Sequence, residues 1–116
     1  MKNLNNIQKK INKIKEELIS LGELRPGSLS KQFNVCGKPN CRCKDPKNPQ
    51  KHGPYYQISY TRKGKSTSIF VKPEAVNDIK KQLGNYKRLM ELIDQWIDLA
   101  IEHSKIKLDL LRKKSR

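Results

Sequence analysis

Apolar residues in the first 21 positions recur at alternating steps of three and four: Leu4, Ile7, Ile11, Ile14, Leu18 and Leu21. This is the a/d seam of an amphipathic helix, so residues 1–22 are expected to form an N-terminal helix with Gly22 as its C-cap. Pro26-Gly27 breaks the pattern. Residues 23–53 carry no helical period and are punctuated by Pro26, Pro39, Pro46 and Pro49 with Gly27, Gly37 and Gly53; within them, Ser30 to Val35 can supply a short strand. Residues 55–61 and 66–72 are rich in aromatic and β-branched side chains and flank Arg62-Lys63-Gly64-Lys65, which predicts a β-hairpin with glycine in its turn.

Pro73-Glu74 suits the first turn of a second helix, where proline loses no hydrogen bond and an acid meets the positive end of the dipole. Val76, Ile79, Leu83, Tyr86, Met90, Ile93, Ile97 and Ala100 keep the three-four spacing, with Gly84 marking a candidate bend. A second stripe runs through Leu89, Leu92, Trp96 and Leu99, so from residue 89 to 101 the helix is apolar on two sides. Such a helix lies between two partners or in an oligomer, and Leu89, Ile93, Trp96 and Ile97 are the candidate interface. The fold expected is α+β: an N-terminal amphipathic helix (1–22), a small zinc-stabilised loop with a β-hairpin (23–72), a long coiled-coil-like C-terminal helix (73–111) and a basic tail (112–116). The two helices are expected to pack antiparallel or to pair with another copy.

Composition tightens this picture. Only 34% of the 116 residues are hydrophobic and the mean hydropathy is −0.86, too little for one large core, so a metal, helix packing or self-association must help. No run reaches the ~18 apolar residues of a membrane span, and residues 1–6 lack the apolar run of a secretory signal. Three cysteines cannot all pair, which fits a reducing compartment; a cytoplasmic location is expected. The net charge of +15 exceeds what solubility requires and favours a polyanion partner. It is concentrated: residues 22–72 hold eleven basic and two acidic side chains, whereas residues 89–104 hold Glu91, Asp94, Asp98 and Glu102 and no lysine or arginine. Those acids are expected to face Lys9, Lys10 and Lys13 of the first helix.

The candidate chemistry lies in the loop. All three cysteines fall within Cys36-Gly37-Lys38-Pro39-Asn40-Cys41-Arg42-Cys43, and His52 follows before Gly53-Pro54-Tyr55-Tyr56. Three thiolates and an imidazole are the donor set of a structural zinc site, and Lys38 and Arg42 beside them offset the thiolate charge. A water or His103 is the alternative fourth ligand. An iron–sulfur cluster fits less well with three cysteines, and buried free thiols fit poorly with lysine, arginine, asparagine and proline as neighbours. Asp45 reads as a turn residue before Pro46.

The pattern CGKxxCxC followed by HGPYY, a hairpin and a helix opening at Pro73-Glu74, with the lead-in Arg25-Pro26-Gly27-Ser28-Leu29-Ser30, resembles an uncharacterised prokaryotic family of unknown function over about residues 24–90. The resemblance implies metal binding at Cys36, Cys41, Cys43 and His52, and proximity of some members to transposase or phage genes; it implies no activity.

Lys38, Arg42, Lys44, Lys47 and Lys51 lie on or beside the metal loop, Arg62, Lys63 and Lys65 at the hairpin tip, and Tyr55 and Tyr56 on the first hairpin strand. Lysine and arginine neutralise phosphates and exposed rings stack on unpaired bases, so a basic sheet with tyrosines points to single strands or RNA, with DNA-groove entry by the hairpin as the other option. No nucleophile–base pair or phosphate cradle is present. The expected function is a non-catalytic, zinc-binding, nucleic-acid-binding accessory protein of a mobile element or phage; a cofactor subunit of a nuclease or transposase, inactive alone, is a separate third reading. The alternative is a coiled-coil interaction adaptor whose zinc is purely structural.

Overall fold

Asn3 starts the first helix as an N-cap, its extended backbone (φ −127°, ψ 160°) letting the side-chain oxygen accept the Asn6 N–H at 2.8 Å. In the computed structural model, which describes residues 3–34, 42–47, 50 and 52–114, helix α1 spans Leu4–Ser20. Ile7, Ile11 and Ile14 are buried, and Leu4, Leu18 and Leu21 are half-buried, so the seam is real. Its end differs from the expectation. Leu21 leaves the helix with an extended backbone (φ −64°, ψ 138°) and donates its N–H to Leu18 O. No left-handed residue is needed there, and Gly22 is not the cap.

Three antiparallel strands follow in the order β1 (Ser28–Asn34), β2 (His52–Arg62) and β3 (Lys65–Val71). The hairpin turn is Lys63-Gly64, closed by the pairing of Arg62 with Lys65. Both turn residues have positive φ, 52° and 78°, as a two-residue turn between twisted strands demands. β1 starts two residues earlier than expected and pairs along β2 from Ser28↔Ser59 to Asn34↔His52, with a bulge between Gln32 and Asn34. Pro73–Ala75 form a 3-10 turn, and α2 then runs Val76–Lys114, three residues into the stretch expected to be a basic tail beyond the helix.

The molecule forms two compact units, Met1–Leu24 with Gly84–Arg116, and Arg25–Leu83. The first is an antiparallel helix pair. Arg88 near the start of its α2 segment bonds Glu17 near the end of α1, and Leu4 at the start of α1 shares a hollow with Ile106 and Leu110. Leu92 is buried opposite the α1 seam, and the Lys15 ammonium lies 5.3 Å from the Trp96 ring. Arg88 also reaches Glu91 at 3.2 Å, so the ion pair that ties the helices places an α1 acid on an α2 arginine. These bonds hold the Glu17 carboxyl below the ordinary carboxylate range and push the Arg88 guanidinium higher still.

In the sheet unit, Ile58 at the centre of β2 is 1% exposed and Val76 is buried. Gly27 sits against that core. Its φ is +136°, and a Cβ there would lie 3.0 Å from Ile58 Cγ1 and 3.1 Å from Ser59 O, so only glycine lets the chain enter β1 so closely. The Arg25 N–H donates to Gln82 O at 3.3 Å, and its guanidinium stacks 5.1 Å from the Tyr60 ring.

Candidate functional site

The pleat settles which residues share a face. Tyr56, Ile58 and Tyr60 of β2 lie on the core side with Leu29 of β1 and Thr67, Ile69 and Val71 of β3. The opposite face therefore carries Ser28, Ser30 and Gln32, then Tyr55, Gln57, Ser59 and Thr61, then Ser66, Ser68 and Phe70. The two adjacent tyrosines thus have different places: Tyr56 is half-buried on the core side, and Tyr55 is 41% exposed on the outer face.

That outer face corrects the expectation of a basic sheet, because none of its ten residues is charged. It is a lattice of hydroxyls and amides. Gln32 Nε2 donates to Gln57 Oε1 at 3.2 Å and Ser30 Oγ donates to Gln57 O at 3.3 Å. Ser59 and Ser68 share a hydroxyl hydrogen bond of 3.0 Å, and Thr61 and Ser66 one of 2.9 Å. The cations stand at its two ends. Arg62, Lys63 and Lys65 are exposed at the hairpin tip, seven residues from Tyr55 along β2, or roughly 23 Å at the rise of a strand. The other end, where Tyr55 and Phe70 lie, is where the chain leaves β1 and returns to β2, with exposed Arg42, Lys44 and Lys47 in the intervening sequence.

Phe70 is a site residue that the sequence pattern does not single out. It is 72% exposed, pairs with Gln57 and lies diagonally across from Tyr55. With Pro54, Tyr56, Val71 and Pro73 the two rings border an open hollow of about 320 Å³. The available signal for Phe70 is its offset from the turn, which sets it opposite Gln57; the unbroken Ile69-Phe70-Val71 run hides it. Phe33, 51% exposed beside the Lys31 ammonium at 5.6 Å, is the single β1 residue opposite Gly53-Pro54 at the register shift and equally hard to anticipate.

Of the candidate metal-binding segment, residues 42–47, 50 and 52 are described. Cys36, Cys41, Lys38 and Lys51 lie outside the described residues, and so do the side chains of Cys43 and His52. Cys43 belongs to a 3-10 turn, Arg42–Lys44. The Gln50 N–H donates to Arg42 O at 2.9 Å, drawing this turn back toward the first residue of β2, His52, whose pairing with Asn34 closes the loop. Lys47 N–H bonds Asp45 Oδ1 at 2.9 Å, confirming Asp45 as a turn former. Gly53 shapes the neck: its φ is +139° and a Cβ would come within 2.8 Å of Gln32 O. Among the described residues no histidine, cysteine and carboxylate group is clustered to hold a metal. His103, the alternative ligand, is half-buried in the helix pair.

The structure also sorts the candidate interface. Trp96 is half-buried under Lys15, Leu89 and Ile93 are half-buried, and Ile97 stands exposed. No helix among the described residues is long and apolar enough to cross a membrane.

A family model described as "Domain of unknown function (DUF6788)" matches residues 4–81. The match takes in α1, which the motif resemblance did not reach, and stops before Gly84. No curated protein and no solved structure matches the chain.

Proposed function

The chain belongs to the DUF6788 family of unknown function, and from that premise we propose that it is a non-catalytic, zinc-binding protein that holds single-stranded nucleic acid on the outer face of its sheet. The carrying observation is the pair Tyr55 and Phe70, two rings exposed on neighbouring strands of an uncharged face with cations at both ends. Rings stack on unpaired bases of any sequence. The serine, threonine and glutamine lattice offers donors and acceptors to base edges and sugar hydroxyls. Phosphates meet Arg62, Lys63 and Lys65 at one end and Arg42, Lys44 and Lys47 at the other. A three-stranded face of mostly small polar side chains with two exposed rings suits a splayed strand better than a duplex groove. The accessory role beside a mobile element or phage rests on the motif resemblance alone.

Zinc has a defined task in this reading. Cys36, Cys41, Cys43 and His52 bracket the segment that joins β1 to β2, and a bound ion would fix its lysines next to Tyr55 and Phe70. Because binding energy at such a site is folding energy, elemental analysis of the native protein is expected to give one zinc per chain, and chelation to cut nucleic-acid binding while α1 stays helical. The binding test is titration of labelled single-stranded RNA, single-stranded DNA and duplex with rising salt. Single strands are expected to bind more tightly than duplex, with affinity falling steeply as salt rises. Equal binding of all three with no role for the rings would reduce the protein to a nonspecific polycation.

A further inference from the structure

Helix α2 carries an apolar stripe that the helix pair leaves uncovered. Met90, Ile97, Ile101 and Leu108 are each about half exposed, and they recur at steps of seven, four and seven on one side of α2. Two polar residues, Asp94 and Ser104, fill the gaps in the same three-four register. The side toward α1 is a different one, formed by Leu92, Trp96 and Leu99. The stripe also lies wholly outside residues 4–81 matched by the family model.

We propose that this face binds a second copy of the chain, with the two α2 helices antiparallel about a two-fold axis level with residue 99. The order of residues along the stripe selects that arrangement. Antiparallel pairing at this level sets Met90 opposite Leu108, Ile97 opposite Ile101 and Asp94 opposite Ser104, so apolar meets apolar and polar meets polar in every layer. Because the two-fold makes each contact reciprocal, all of these layers occur twice. Of the flanking charges on one side, Glu91 of each copy comes beside Lys105 of the other, two opposite-charge contacts, while Asp98 meets its own copy near the axis. A parallel, in-register pair would instead press Asp94 against its own copy inside the seam. A polar layer within an apolar seam fixes register and orientation, which is the task assigned to Asp94 and Ser104. Each copy contributes its α1–α2 pair, so the product is a four-helix bundle.

Sedimentation of the full-length chain over a concentration series tests this. A dimer is expected, and Ile97→Asp should make it monomeric with its helical circular dichroism retained, since Ile97 takes no part in the α1 seam. Orientation is read from charge exchange. Glu91→Lys and Lys105→Glu should each raise the dimer dissociation constant by roughly tenfold, and the double variant should restore it. A chain monomeric throughout, an Ile97→Asp variant that stays dimeric, a double variant as weak as the singles, or co-purification with a different protein on this face would each overturn the proposal.

Discussion

In the helix pair, Ile7, Ile11, Ile14 and Leu92 are buried at helical spacing along two long elements, and an arginine bonded to two glutamates closes one end. In the sheet unit the buried apolar side chains among the described residues are Ile58 and Val76, while Phe70, Tyr55 and Phe33 stand in solvent. The helix pair too leaves Met90, Ile97, Ile101 and Leu108 exposed, so the units differ in how much they bury, four side chains against two among the described residues, and in what they display, aliphatic side chains against mainly aromatic rings. A sheet that exposes its rings and ties its outer face with hydroxyl and amide hydrogen bonds gives up stability that a small unit needs. That pattern makes sense where the rings meet a ligand and where something besides the core, here the proposed zinc, stiffens the loop.

The comparison breaks most visibly at the two fully buried side chains. Ile58→Ala and Leu92→Ala should each cost about 2–5 kcal/mol, read from denaturant unfolding. Hydrogen exchange separates them: Ile58→Ala should raise exchange through β1–β3 and leave α1 protected, and Leu92→Ala should do the reverse. Uniform loosening by both variants would mean that the units share one core. A smaller effect is expected at Gly84, which lies inside α2 where an added Cβ would meet no atom within 4 Å. Gly84→Ala should raise the melting temperature, stabilising by about 1 kcal/mol; a loss would mean that flexibility at this position is used. The smallest effect concerns Glu17. Its pKa is lowered in the folded chain, first by the hydrogen bonds from Arg88, so its contribution is present above the ordinary carboxylate range and is lost as pH falls through its folded value. Wild type should be slightly more stable than Glu17→Gln at neutral pH, and the two should converge in acid.

Much of this fold can be read from the residues. The α1 seam is legible because one helix face stays apolar for four turns. The hairpin is legible because Lys63-Gly64 separates two β-branched runs. The assignment of faces is not, since Tyr55-Tyr56 and Ile69-Phe70-Val71 are contiguous apolar pairs and triplets that alternation alone cannot divide. Only the pairing of Ile58 with Leu29 and Ile69 decides that Tyr56 turns inward and Tyr55 and Phe70 outward. The uncharged outer face follows from the same decision: counting lysines along the chain locates the cations at the loop and the hairpin tip, but not the lack of charge on the face between them. The Glu17–Arg88 bond joins residues 71 apart and has no local signature. The four metal-binding candidates remain a reading of spacing and residue type.

Stacking of bases on the exposed rings of the sheet is the central claim. Fluorescence anisotropy with a labelled single-stranded oligonucleotide, comparing wild type with Phe70→Ala, tests it most directly. Phe70 is largely in solvent, so its removal should leave the melting temperature nearly unchanged while weakening binding by about 1–3 kcal/mol. Undiminished affinity in a folded Phe70→Ala protein would contradict it.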